Sequence, residues 1–243
     1  MAEINDGGVQ ARTVDSGRGV NWWGEAWTLF QKNAGLWVVI ALVLVIGLVV
    51  LNFIPFLGPL ALTLLTPVIT GSCLLAARKT EQGGTLEISD LGLAFKEHLN
   101  PLLVIGGLFV AANIVIMIVM GILGFGAVMG MGAGGAAHSM GGVMAGFGVF
   151  MLALLVGMAL FVPVSMAMWF APALVVFRGV APMDALKASF AGCLRNIVPF
   201  LLYGIVFFVA AIVATIPAGL GWLVLIPVLM LTTYLAYRDI FSD

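Results

Sequence analysis

Apolar positions in this chain gather into long unbroken runs, separated by short stretches in which polar and apolar residues mix. The runs cover about residues 34–53, 60–77, 101–123, 149–177, 197–216 and 220–237. About 20 consecutive apolar residues cross a bilayer core as a helix. The core holds no water to satisfy the backbone, so a crossing segment is either a helix or a strand of a closed barrel. Barrel strands alternate apolar and polar residues over ~10 positions. The run from Val38 to Ile46 is apolar at every place, which selects helices. The predicted class is all-α: a polytopic membrane protein with about six transmembrane helices.

The mixed stretches carry a helical period. Trp23, Trp27 and Phe30 recur at i, i+4 and i+7, which predicts a helix over residues 21–33. Indole rings favour the headgroup zone, so this helix is expected to lie flat on the membrane surface. Packing of the same face on the protein's own spans is the alternative. Leu91, Phe95 and Leu99 predict a second short helix with Ser89 as N-cap, and Leu186, Phe190 and Leu194 a third over about residues 183–194.

Each short helix is followed by an Asn (Asn33, Asn100, Asn196), two apolar runs, a Pro-Val pair and an Arg. The pairs are Pro67-Val68, Pro163-Val164 and Pro227-Val228, and the arginines are Arg78, Arg178 and Arg238. This order predicts three surface-helix-plus-hairpin repeats, about residues 21–78, 88–178 and 183–238, within one membrane domain over 21–243. Two spans per unit keep the copies in one orientation, a parallel repeat. Residues 1–20 read as a flexible tail. The Gly-, Ala- and Met-rich stretch 124–148 is open between a loop, a re-entrant segment and helix extensions.

Composition sharpens the class. Hydrophobic residues make up 63% of the chain and charged ones 9%, far below the ~25% of soluble domains. All Lys, Arg, Asp and Glu fall outside the apolar runs, in windows separated by two runs each time, so every charge lands on one membrane face. Basic residues in short loops stay cytoplasmic, which predicts both termini inside. Cys73 and Cys193 then face a reducing compartment and are expected as free thiols. The first apolar run is too long for the core of a cleavable signal peptide. A net charge of -1 gives no sign of a nucleic-acid partner. The expected partner is the lipid bilayer. A cytoplasmic or membrane protein partner and self-association are both compatible with the pattern.

Candidate chemistry is sparse. Pro67, Pro163 and Pro227 fall near mid-membrane, where each frees a carbonyl one turn earlier. Together they either line a pathway or only shape packing, and packing is the preferred reading. Asn113 is the deepest amide. No acidic, basic or histidine side chain lies in a predicted span, which counts against a proton-driven pump. No set of residues reads as catalytic, as a cofactor site or as a spaced Cys/His metal site. One sharper candidate is soft: Met129, Met131, His138 and Met140 form a thioether–imidazole set of the kind that suits Cu(I). Close helix packing through Gly126, Gly130, Gly134, Gly142 and Gly146 explains the same stretch.

The Trp-containing first helix, the run Ala171-Pro-Ala-Leu-Val-Val-Phe-Arg178 and the closing Tyr234-Leu-Ala-Tyr-Arg-Asp-Ile-Phe241 resemble a family of uncharacterised proteobacterial six-span inner-membrane proteins. The chain is also distantly similar to the membrane-anchor domain of bacterial glycerophosphodiester phosphodiesterases. The resemblance implies a bacterial inner membrane and no activity, since the catalytic domain of those enzymes has no counterpart here. The expected function is a non-enzymatic membrane scaffold or accessory subunit. The alternative is a passive channel or carrier for an apolar or lipid-like solute through proline-kinked helices.

Overall fold

The computed structural model describes residues 10–136 and 140–241. Every regular element among them is helical: α1 (Arg18–Gln31), α2 (Ala34–Asn52), α3 (Leu57–Glu81), a 3-10 turn (Ile88–Gly92) leading into α4 (Leu93–Glu97), α5 (Leu99–Ala136), α6 (Met140–Arg178), α7 (Pro182–Arg195), α8 (Ile197–Thr215) and α9 (Trp222–Phe241). Six of these, α2, α3, α5, α6, α8 and α9, are long and apolar enough to cross a membrane. The order is one short helix and two long ones, three times over.

The described residues form two compact units. The larger takes residues up to Gly107 and from Met166 on; the smaller is Leu108–Ser165. In the larger unit the core is built where the short helices meet the ends of the long ones. Trp22, Trp37, Phe170, Leu174, Leu231 and Ile240 are all fully buried there. Away from it, apolar residues such as Leu48, Leu201 and Phe208 are exposed, the lipid-facing pattern of helices that cannot bury all their sides.

Tight glycine contacts close the hairpins at the other end. A side chain on Gly58 would collide with the Leu51 carbonyl, seven residues earlier, and one on Gly221 would collide with the backbone of Ala214, again seven residues earlier.

The smaller unit is the middle of the α5–α6 hairpin. The stretch expected as a loop or helix extension is helix, on α5 to Ala136 and on α6 from Met140. Glycine is a weak helix former, but here it lets the two backbones touch. Gly130 and Gly146 lie against each other, and a side chain on Gly146 would meet the Ala127 carbonyl at 2.8 Å. Arg78 to Glu81 are the last turn of α3, which runs past the end of the apolar run. Residues 10–17, expected in a flexible tail, are packed: Ala11 is buried and Arg12 N–H donates to the Ile240 carbonyl at 2.9 Å.

Candidate functional site

Charge collects at one end of the larger unit because α3, α6 and α9 all finish there with basic last turns, Arg78 and Lys79, Arg178 and Arg238. Cations there complement the unpaired carbonyls of a helix C-terminus. The same end receives α1, α4 and α7.

On α1, Arg18 Nη1 donates to Glu25 Oε1 at 2.7 Å and Arg18 Nε to Asp239 Oδ2 at 2.6 Å. Trp22 Nε1 donates to that same Asp239 oxygen at 2.8 Å. Arg238 pairs with Glu81 and reaches within 3.8 Å of Glu25. Tyr234 Oη donates to Glu81 Oε2 at 2.6 Å. The sequence Asp239–Arg18–Glu25–Arg238–Glu81–Tyr234 thus ties α1, α3 and α9 into one polar chain. Glu25, and next Asp239, hold the Arg18 guanidinium charged and raise its pKa.

A second tie runs from Lys79 Nζ to Asp90 Oδ1 at 2.9 Å, with Asp90 Oδ2 accepting the Glu87 N–H at 2.7 Å. Asp90 therefore closes the turn before α4, and Ser89, the expected cap, donates to Glu87 instead. Arg78 sits 4.8 Å over the Phe177 ring. Three carboxylates of this end, Glu25, Glu81 and Asp239, are engaged by arginines, so chemically it is a clamp of fixed charges.

Two of the short helices, α4 and α7, attach by small residues. On α7 the buried face is Ala185, Ser189, Gly192 and Cys193, while Met183 and Leu194 are exposed. On α4 Ala94 is buried and Phe95 exposed. On α1 the buried face is Trp22, Ala26, Leu29 and Phe30, one step round from the expected one, and Trp27 is exposed at 47%. Trp23 stacks on Tyr203 with ring centroids 5.0 Å apart. Part of the indole face therefore packs on the protein itself, while Trp27 stacks on Phe30 of its own helix, with centroids 5.4 Å apart, and stays half open to the outside.

Ser189 makes an uncommon attachment. Its hydroxyl donates to the Met166 carbonyl at 2.7 Å and accepts the Phe170 N–H at 2.9 Å. Those are the two groups that an α-helix joins directly, so α7 inserts a hydroxyl into the ladder of α6. Ser72 on α3 accepts the Ala94 N–H at 3.1 Å in a related way.

Pro67 and Pro227 are buried within α3 and α9 of the larger unit, whereas Pro163 is exposed in the smaller one. The Asn113 amide donates to the Phe109 carbonyl of its own helix at 2.8 Å. Thr63, Thr66 and Thr215 bond one turn back in the same manner, so these side chains are satisfied within their own helices. Tyr203 and Thr232 do pair across helices, at 3.1 Å. Met129 and Met131, two apart on α5, point roughly 200° away from one another around the axis and cannot share one ion. Met140 is exposed, and His138 lies outside the described residues. Among the described residues, no three His, Cys, Asp or Glu gather as a metal site.

A curated protein of Burkholderia thailandensis, named "Probable inner membrane protein", is 26% identical to this chain over 208 residues, covering 84% of the chain and 77% of the relative. No family model matches, and no solved structure matches. Six apolar helices and this likeness decide the location. The chain is an integral inner-membrane protein.

Three features of the charged end escape a reading of the sequence: Trp22, Ser189 and the strap of residues 11–14. Each depends on a partner about 20 to more than 200 residues away. The only local hint was the Arg238-Asp239 pair at the end of an otherwise apolar helix.

Proposed function

We propose that the chain is a non-catalytic scaffold or accessory subunit of the inner membrane, built from three copies of one unit, with both termini in the cytoplasm. One observation carries the reading. The short helices grip the bundle with one face, through small residues on α4 and α7 and through Trp22, Leu29 and Phe30 on α1, and leave Trp27, Phe95, Met183 and Leu194 exposed. An apolar face beside a ring of charge suits the boundary between headgroups and acyl chains, or a protein partner docked at that level.

The repeat is supported by the joints. Asn33, His98 and Asn196 each link a short helix to the next span with nearly the same backbone, φ/ψ of -142/39, -132/20 and -123/35. In the middle unit the joint is His98, so the equivalence passes through that residue and not Asn100. The matching contacts of Gly58 and Gly221 support the first and third hairpins as copies. Cytoplasmic termini are supported by basic residues ending α3, α6 and α9.

A channel or carrier draws less support, because Asn113 is satisfied by its own helix and Pro163 is exposed. Affinity purification from native membranes tests the scaffold. A stoichiometric partner lost on Trp27→Ser with Leu194→Ser is the expected result. Solute flux into liposomes that falls to background with Asn113→Leu or Pro163→Ala would replace it with transport.

A further inference from the structure

Residues 10–15, outside any helix, cross the gap between the last turn of α7 and the end of α9; of their side chains Ala11 is buried and Val14 is half-buried against the core. The gap holds them mainly by the main chain. The Asn196 amide, 1% exposed, donates to the Arg12 carbonyl at 3.0 Å and accepts the Val14 N–H at 2.8 Å. That is the donor–acceptor pair a neighbouring β-strand would offer. Arg195 Nη1 donates to the Ala11 carbonyl at 2.6 Å, and on the other wall the Ile240 carbonyl accepts the Arg12 N–H at 2.9 Å. The Arg12 guanidinium is bound by the Asp239 carbonyl. Gly192 makes room for the Ala11 methyl: a side chain there would meet Phe241 at 2.6 Å and Ala11 at 3.4 Å.

These walls read an extended backbone, one small side chain and a following cation. Recognition of that kind tolerates exchange of sequence, because main-chain hydrogen bonds supply most of the hold. The occupant is a segment outside the helices with one small buried anchor, the sort that opens locally well below global unfolding.

We propose that the groove formed by Gly192, Arg195, Asn196 and Asp239–Phe241 is a peptide-docking site. Residues 11–14 fill it in cis, and it takes an extended segment of a partner protein, small residue then Arg or Lys, when that strap lifts. The proposal rests on the scaffold reading and names how such a partner is held.

The test uses the full chain in detergent micelles and a fluorescein-labelled peptide of residues 8–16, followed by anisotropy. Ala11→Glu releases the strap by making its anchor too large, and Arg12→Glu releases it through an exposed side chain. Both variants are required to keep wild-type helicity and a monodisperse elution. The peptide is expected to bind each variant at least tenfold more tightly than wild type, and a peptide with Glu in the Ala11 place not to bind. Equal binding to variant and wild type, or none to either released variant, overturns the proposal. A wild-type dimer that excess peptide dissociates would assign the groove to a second copy, and would also overturn it. Peptide binding with no stoichiometric partner in membranes counts against the scaffold and leaves the groove standing; the reverse pair of results does the opposite.

Discussion

The indole N–H of Trp22 donates to Asp239 across 217 positions of sequence, at 2.8 Å, with the Trp22 ring wholly buried. The bond seats α1 against α9, and Arg18 on the same carboxylate oxygen fixes its charge. Removing the donor and removing the acceptor are unequal changes. Trp22→Phe loses one charge-assisted bond and some packing, at about 2 kcal/mol, whereas Asp239→Ala strands the buried Trp22 N–H and leaves Arg18 with Glu25 as its carboxylate partner, at about 3 kcal/mol. Thermal unfolding in micelles, read by loss of monodisperse protein, should rank wild type above Trp22→Phe above Asp239→Ala. An unshifted midpoint for Asp239→Ala would remove the clamp from the account.

Ser189 is expected to be worth more than its size. Ser189→Ala leaves the Phe170 N–H and Met166 carbonyl without the hydroxyl that bridges them, for a loss of about 1–3 kcal/mol. Ser189→Thr retains the hydroxyl and should recover part of it. Equal midpoints for wild type and Ser189→Ala would show that α6 closes its own ladder there.

In the smaller unit, glycines differ sharply in tolerance. A side chain on Gly146 would meet the Ala127 carbonyl at 2.8 Å and the Met131 amide nitrogen at 2.5 Å, backbone that cannot move aside, whereas Gly132 has open space around it. Gly146→Val should lower the midpoint by about 1–3 kcal/mol equivalent and Gly132→Val by much less. Trypsin has no site in this unit, so chymotrypsin cleavage at Phe125 and Phe147 reports the loosening.

Cys193 is a quiet thiol. It is 4% exposed, and burial pushes its pKa up from 9.0 to about 12. Near pH 8 its thiolate fraction is lower than that of an ordinary thiol by about a thousandfold, and thiolate is the reactive form. Maleimide labelling of the folded protein should therefore be negligible at pH 8 and become fast on denaturation. Rapid labelling of Cys193 in the native state would contradict its placement.

Much of this architecture was legible in the sequence, for reasons that mark where the rest was lost. The long helices announce themselves because no other uncharged run satisfies a backbone in lipid, and α2 and α8 begin where expected, at Ala34 and Ile197. The extent of α5 and α6 did not, since glycine propensity argues for a loop while Gly130 on Gly146 argues through a contact that sequence order conceals. On α1 large apolar side chains turn inward, at Trp22, Leu29 and Phe30. On α7 the opposite holds: Ala185 and Gly192 sit inside and Leu194 outside, as they should where the outside is itself apolar. Asn113 stood out as a lone amide at depth, and a turn of its own helix turned out to be enough for it.

Sidedness tests the whole account most directly. Lys187 is exposed on α7 and Gly132 is exposed on α5, and the native thiols Cys73 and Cys193 are both buried. Single replacements Lys187→Cys and Gly132→Cys are treated in intact cells with a membrane-impermeant maleimide, then again after lysis. Gly132→Cys should label in intact cells and Lys187→Cys only once the membrane is broken. Labelling of Lys187→Cys from outside, with Gly132→Cys protected, would put the charged end and both termini on the wrong face and contradict the account.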